Sequence, residues 1–222
     1  MTQRITAERS ADWQESPRAT LEAVRSWPTS KARQWTIDTV AVASQDAAIQ
    51  AIVASGSAVR DVPNCDDLDL VLVYHKCRPS LPRPPIGVDL QQHEESEVPQ
   101  KLANGHDFLS WAVRFGQPLF EREQWWTRLR DDWNDRLSLP SVTEARRRAA
   151  RAQQLYQEMR SLGDHDAAKE NYLSMLTHRA RAALSDASVL PQSRPELAEQ
   201  LRGVGEQKLA DQLAEALAHR YD

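Results

Sequence analysis

The chain predicts an α+β protein, in which a short mixed β-sheet with accompanying helices is followed by an α-helical bundle. Three observations carry that reading. The first is a pair of short apolar runs, Ala51-Ile52-Val53-Ala54 and the LDLVLVY segment from Leu68 to Tyr74, which read as two buried strands. The second is the proline group Pro79, Pro82, Pro84 and Pro85, through which no helix or central strand can run; a third strand, Ile86 to Gln91, begins directly after it. The third is the interruption at Leu139-Pro140-Ser141, where Ser141 to Glu144 reads as a capping box that opens a long Ala- and Arg-rich helix. That point divides the chain into domains at 1–138 and 139–222.

In chain order, Ala11 to Trp27 has helix-forming composition interrupted by Pro17, and Ala32 to Gln50 mixes helix formers with the β-branched Ile37, Val40 and Val42. Ser55-Gly56-Ser57 stops the first strand. From Glu94 the chain turns helical in character through Val98, Leu102, Phe108, Leu109 and Trp111, and then through the EREQWWTRLRDDW segment, whose Trp and Leu positions read as core. The Ser141 helix runs to about Leu162 and ends at Gly163-Asp164, and a second spans roughly Asp166 to Ser185. PQSRPEL introduces a third, and Gly203 and Gly205 separate off the last. Helices joined by such short connections form a small bundle.

The 222 residues, 41% of them hydrophobic, suffice for one large or two small domains with cores of their own. A formal net charge of −4 gives no global electrostatic reason to expect a dedicated nucleic-acid or membrane binder. Arg146, Arg147, Arg148 and Arg151 form the densest basic cluster, which is either a phosphate-facing patch or a solvated helix face. Cys65 and Cys77 flank one predicted strand, too far apart for a disulfide, and read as reduced thiols. With no apolar segment of signal-peptide or membrane-spanning type, the expectation is a cytoplasmic protein without a membrane partner.

The chemistry is concentrated between Ser55 and Val73. Side chains alternate along a strand, so Asp67 and Asp69 point one way while Leu68, Leu70 and Leu72 point the other. Like charges so close repel unless a cation sits between them, and Mg2+ suits hard oxygen ligands that share its shell with phosphate. Gly56 lets the backbone approach a triphosphate, Ser57 offers a hydroxyl and amides to its oxygens, and Arg60 adds positive charge. Asp89, flanked by Val88 and Leu90, is a third acid on another apolar strand, and three carboxylates on neighbouring strands suffice for two metal ions.

Gly56-Ser57, nine intervening residues, Asp67-Leu68-Asp69, and then Asp89 resemble the signature of the DNA polymerase β-like nucleotidyltransferase superfamily. The similarity covers about residues 47–120, including the DFLSWAVRFGQPLFE segment. The resemblance implies that Asp67, Asp69 and Asp89 are catalytic and hold two Mg2+ ions with the incoming NTP, while Gly56 and Ser57 hold its phosphates. It implies transfer of an NMP to an acceptor that is RNA, a protein hydroxyl or a small molecule, with release of pyrophosphate. The helical tail resembles the bundle of antibiotic nucleotidyltransferases and of some nucleotidyltransferase toxins. An alternative follows from that: a member of a toxin–antitoxin pair, acting mainly by docking a cognate chain.

Other readings of the same residues are weaker. Asp66 is turned away by strand alternation and reads as a turn residue. His75, Cys77 and His93 lack the paired spacing of a zinc site. Arg160 and His165 have a spacing also seen in helical-bundle ribonucleases, but Gly163-Asp164 between them reads as a helix end. Ser57 lacks the GxSxG elbow of a hydrolase nucleophile, and no P-loop or dinucleotide GxGxxG occurs.

Overall fold

A computed structural model describes residues 21–60 and 67–219. The predicted helix around Pro17, and Cys65 and Asp66 with the readings made of them, lie outside the described residues. Contacts divide the chain into two compact units: Ala112–Asp135 joins the residues up to Pro99 in the first, and Gln100–Trp111 joins those from Arg136 onward in the second. Segment 100–111 therefore packs with the helical part of the chain. Ser138 Oγ donates to Ala103 O at 3.3 Å, and Arg148 Nη1 to Asp107 Oδ2 at 3.3 Å.

The first unit is built on a four-stranded sheet of order β3-β2-β1-β4, with β1 Ile49–Ser55, β2 Leu68–Tyr74, β3 Val88–Glu94 and β4 Gln117–Glu121. β1 runs antiparallel to both of its neighbours, whereas β2 and β3 are parallel, so the sheet is mixed, as expected. β2 has the predicted bounds. β3 starts two residues later than predicted and runs through Gln92, His93 and Glu94, a polar stretch that has the composition of an edge strand rather than of a buried one. Residues 117–121, expected to lie in helical sequence, form β4 instead. They pair with β1 along one side only, which is where a strand tolerates Pro118.

Alternation splits the sheet into two faces. Ile52, Ala54, Leu68, Leu70 and Leu72 share one face and form a cluster with Val40 and Ala43 of helix α1, Ser30–Gln45. Removing each of the larger side chains from water contributes about 1.5–3 kcal/mol. Thr29 caps α1 by accepting from Ala32 N at 3.0 Å, and the buried Thr36 and Thr39 hydroxyls donate to Ala32 O and Trp35 O at 2.9 and 2.8 Å. Arg122, just past β4, donates to Ile49 O, Ala43 O and Asp46 O at 3.1–3.2 Å and ties the α1–β1 connection to the sheet.

Val53, Ser55, Asp69 and Val71 share the opposite face. Helix α2 is Val98–Ala103, α3 is Asp107–Phe115 and α4 is Trp125–Trp133. The end of α3 approaches β1 so closely that a Cβ on Gly116 would lie 2.8 Å from Val53 Cγ1 and would overlap Ala112 O. From α4, Trp126 is fully buried.

In the second unit, helices α5 Val142–Leu162 and α6 His165–Asp186 form a helical hairpin, followed by α7 Leu197–Gly203 and α8 Gln207–Ala218. The predicted stop and start signals operate, but of the capping box only the Ser141 half forms, the Glu144 carboxylate bonding Arg147 and Arg148 instead. The Ser141 side chain accepts from Glu144 N at 3.3 Å, Gly163 caps α5 with φ 77°, and the Asp164 side chain accepts from Ala167 N at 3.0 Å to open α6. Leu173, Leu176, Leu184, Leu197, Leu201 and Leu213 fill the core of this unit.

Gly116→Ala is expected to lower the unfolding free energy by about 1–3 kcal/mol, because the added methyl must displace β1 or the end of α3. Urea denaturation of the variant beside the parent protein measures this, and equal midpoints contradict it.

Candidate active site

β1 ends at Ser55, which is 1% exposed and pairs with Asp69 across the antiparallel ladder. The next residue, Gly56, has φ 76° and ψ −165°, a region of backbone space open essentially to glycine alone. A Cβ there would overlap Asp69 Oδ2 and lie 3.2 Å from Asp69 Cγ. Gly56 is thus set both by its own conformation and by the carboxylate across from it.

After Gly56 a tight turn runs over Ser57–Val59. Ala58 and Val59 are buried, and Ala58 O accepts from Arg25 N and Ser26 N at 2.8 and 3.2 Å. The apolar half of the turn is therefore pinned inward. Ser57 and Arg60, on either side of it, remain half-buried, and Arg60 N donates to Ser57 O at 3.1 Å. The Arg60 guanidinium lies over the Phe115 ring, 4.7 Å from its centroid.

Asp67 is exposed, one residue before β2, and Asp69 is half-buried within it. In the parallel ladder Asp69 is the register partner of Asp89, which is exposed on β3. Register partners in neighbouring strands project from the same face, with strands about 4.8 Å apart. Val88 and Leu90 beside Asp89 pack against the α1-side core, so Asp89 itself is directed to the opposite face, with Asp69.

The structure thus brings Gly56, Asp69 and Asp89 side by side, with Ser57 and Arg60 on the adjoining turn. It does not gather the three acids into a closed cage: among the described residues no group of three or more His, Cys, Asp and Glu side chains is close enough to hold a metal ion. The donor set still fits a hard divalent cation, since it consists of carboxylate oxygens on one face, and the surface beside Asp69 is one that a single methyl on residue 56 would fill.

The other singled-out residues lie elsewhere. His75 Nδ1 lies 3.0 Å from Glu95 Oε2, Cys77 is exposed, and His93 is buried on β3, with no metal cluster among them. Arg160 donates to the Tyr156 hydroxyl at 3.3 Å in the last turn of α5, and Gly163 ends the helix before His165, as expected. In the basic cluster, Arg147 bonds both oxygens of Glu144 at 2.7 and 2.8 Å. Arg148 reaches Glu144 at 2.8 Å, and Arg146 reaches Asp186 at 3.4 Å. Three of the four guanidiniums face carboxylates, so most of this cluster is engaged in exposed ion pairs on the helix surface. Hydrogen bonds from Arg147 and then Arg148 hold the Glu144 carboxyl down at about 2.

Among solved structures the chain is similar to a nucleotidyltransferase-like protein. That protein, from Exiguobacterium sibiricum 255-15, shares 17% identity at a TM-score of 0.37, over 84% of this chain and 73% of its own. A likeness of that degree carries no argument, and the site must speak through its own residues. No protein-family model and no curated protein matches the chain. Among the described residues, no helix is long and apolar enough to cross a membrane.

Two outcomes are expected from this geometry. Gly56→Ala should destabilise the protein by clearly more than Gly163→Ala. Gly163 also has a positive φ but nothing within 4 Å of an added Cβ, so it loses only the left-handed backbone cost of about 1–2 kcal/mol. Equal losses in urea melts would show that Gly56 is not held against Asp69. Separately, an NMR titration of Glu144 should give a midpoint near 2 that rises towards the ordinary carboxylate range in Arg147→Ala. Because the folded value is depressed, the pair's contribution to stability is present above the ordinary carboxylate value and fades as the pH falls towards 2.

Proposed function

We propose that the protein is a magnesium-dependent nucleotidyltransferase that moves an NMP from an NTP to an acceptor and releases pyrophosphate. The observation that carries this reading is the pairing of Asp69 with Asp89 in the parallel ladder, directly beside the Gly56 turn. Two acids in register on one face, flanked by a glycine that leaves room and a serine that can donate, form a surface suited to a triphosphate and its counter-ions.

The residues divide the work. Gly56 leaves the triphosphate tail close access to the backbone beside Asp69. The Ser57 hydroxyl and the amides of its turn donate to phosphate oxygens, and the Arg60 guanidinium neutralises part of their charge. Asp67, Asp69 and Asp89 would hold two Mg2+ ions, which when bound supply Lewis-acid stabilisation of the charge developing at the α-phosphorus. The acceptor oxygen attacks that phosphorus in line, the bond to the bridging oxygen of the β-phosphate breaks, and pyrophosphate leaves. Ser55, buried across the ladder from Asp69, holds the end of β1 beside that residue.

The acceptor classes remain RNA, a protein hydroxyl and a small molecule. The Arg146–Arg151 cluster gives RNA little support, since Glu144, Asp107 and Asp186 already pair with three of its four guanidiniums.

The test is to incubate the protein with each labelled NTP, Mg2+ and a cell extract and to find what becomes labelled. One acceptor class should be marked, NTP affinity by calorimetry should fall when the divalent ion is withheld, and Asp69→Asn should abolish labelling while melting as the parent does. Wild-type transfer by Asp69→Asn, or NTP affinity indifferent to Mg2+, rejects the mechanism.

A further inference from the structure

Resting on that reading, we infer that Gln91 is a specificity-determining residue on the acceptor side of the site, where its side-chain amide hydrogen-bonds the acceptor next to the attacking oxygen. Rows of register partners cross the sheet on the face that carries the acids. The first row is Ser55, Asp69 and Asp89, the second Val53, Val71 and Gln91, and the third Ala51, Val73 and His93. Every member of the second and third rows is buried except Gln91, which is half-buried. Along this face β3 therefore leads from the exposed Asp89, through Gln91, to the buried His93. Gln91 stands where that face passes from water to interior, about 6.6 Å along the strand from Asp89.

The fold itself gives no reason for an amide at that position, since its row is otherwise valine. The neighbouring Gln92, on the opposite face, has a structural use: its Oε1 accepts from Arg78 Nε at 2.8 Å. Gln91 has no hydrogen-bond or charged partner among the described residues. A half-buried amide left so costs free energy that a polar ligand recovers on binding. Which ligand it meets follows from the order of the strands. The Gly56-Ser57 turn, which takes the departing phosphates, continues from β1, and β3 lies on the other side of β2. In an in-line displacement the attacking and leaving oxygens stand on opposite sides of the phosphorus. Pyrophosphate leaving on the β1 side places the acceptor over β3, where Asp89 and Gln91 are the successive residues on this face. An uncharged group that both donates and accepts suits a neutral hydroxyl beside the one that attacks.

The inference is tested in the full chain with labelled NTP, Mg2+ and a cell extract as the source of acceptor. Initial labelling rates are followed against extract dilution at fixed NTP and against NTP at fixed extract. Gln91→Met, which keeps the length of the side chain and loses the amide, should raise the half-saturating amount of extract about fivefold and leave half-saturation by NTP unchanged. Gln92→Met, one residue along the same strand, should match the parent in both titrations. Should Gln91→Met fail to fold, Gln91→Ala is read in its place. Half-saturation by extract unchanged in the Gln91 variant, equal rises for extract and NTP, or the same loss in Gln92→Met overturns the role of Gln91 while leaving the nucleotide site standing. A parent protein that labels nothing in the extract overturns the nucleotidyltransferase reading, and this inference with it.

Discussion

β2 lies between two different ladders, antiparallel to β1 and parallel to β3, and the geometry of the candidate site depends on that double pairing. The antiparallel ladder sets Ser55, and with it Gly56, against Asp69. The parallel ladder sets Asp89 beside the same carboxylate. A slip of one residue in either ladder would turn Asp69 onto the leucine face. What resists the slip is the burial of Leu68, Leu70 and Leu72, each worth about 1.5–3 kcal/mol. Against this, two unit charges at about the spacing of neighbouring strands repel by roughly 3 kcal/mol at an effective dielectric near 20, and by less with Asp89 exposed to water. The apolar face therefore outweighs any repulsion between the two carboxylates.

Two glycines then set how closely other elements reach that face. Gly116 brings the end of α3 onto Val53, and Gly56 lets the chain leave β1 across Asp69. Neither contact adds attraction of its own; each removes a methyl that would force the backbone away. Because one lies in β1's own exit turn and the other in a segment more than fifty residues later, they place the Gly56-Ser57 turn and the Phe115 ring on a common side. That common side is what allows Arg60 to stack.

How much of this the sequence discloses follows from which residues carry the signal. β2 is legible residue for residue because a continuous apolar run bounded by polar residues has few other solutions. β3 is legible only from Val88 to Gln91, since Gln92, His93 and Glu94 have no apolar pattern and are ordered by pairing to β2. β4 is hidden because QPLFE is short, contains Pro118 and stands next to helical sequence. In the second unit the caps at Ser141, Gly163 and Asp164 act within a few residues and can be read directly. The allegiance of 100–111 depends on Ser138 and Arg148, decades of residues away, and cannot. At the site, alternation gives the expectation that Asp67 and Asp69 share a face, although β2 begins only at Leu68, whereas the partnership of Asp69 with Asp89 is a matter of register. The stacking of Arg60 on Phe115 joins residues that no spacing rule connects. The balance of the arginine cluster by Asp107 and Asp186 is tertiary for the same reason.

The open arrangement of the acids bears on how a nucleotide would be taken up. A preformed metal cage would place three carboxylates in contact, and without its cation that contact would load the fold with repulsion. Here Asp67 lies outside β2, Asp89 is exposed and Asp69 is half-buried. On the proposed reading the cost of gathering the acids falls at binding, when cation and triphosphate enter together and each supplies what the other lacks. Positive charge relieves the acids, and phosphate oxygens complete the shell of the cation. A site of this kind binds either component weakly alone and both strongly together, which is a coupling free energy between two ligands and is necessarily reciprocal. The rigid parts, the β2 register and the Gly56 turn, then serve to limit how far the acids must move.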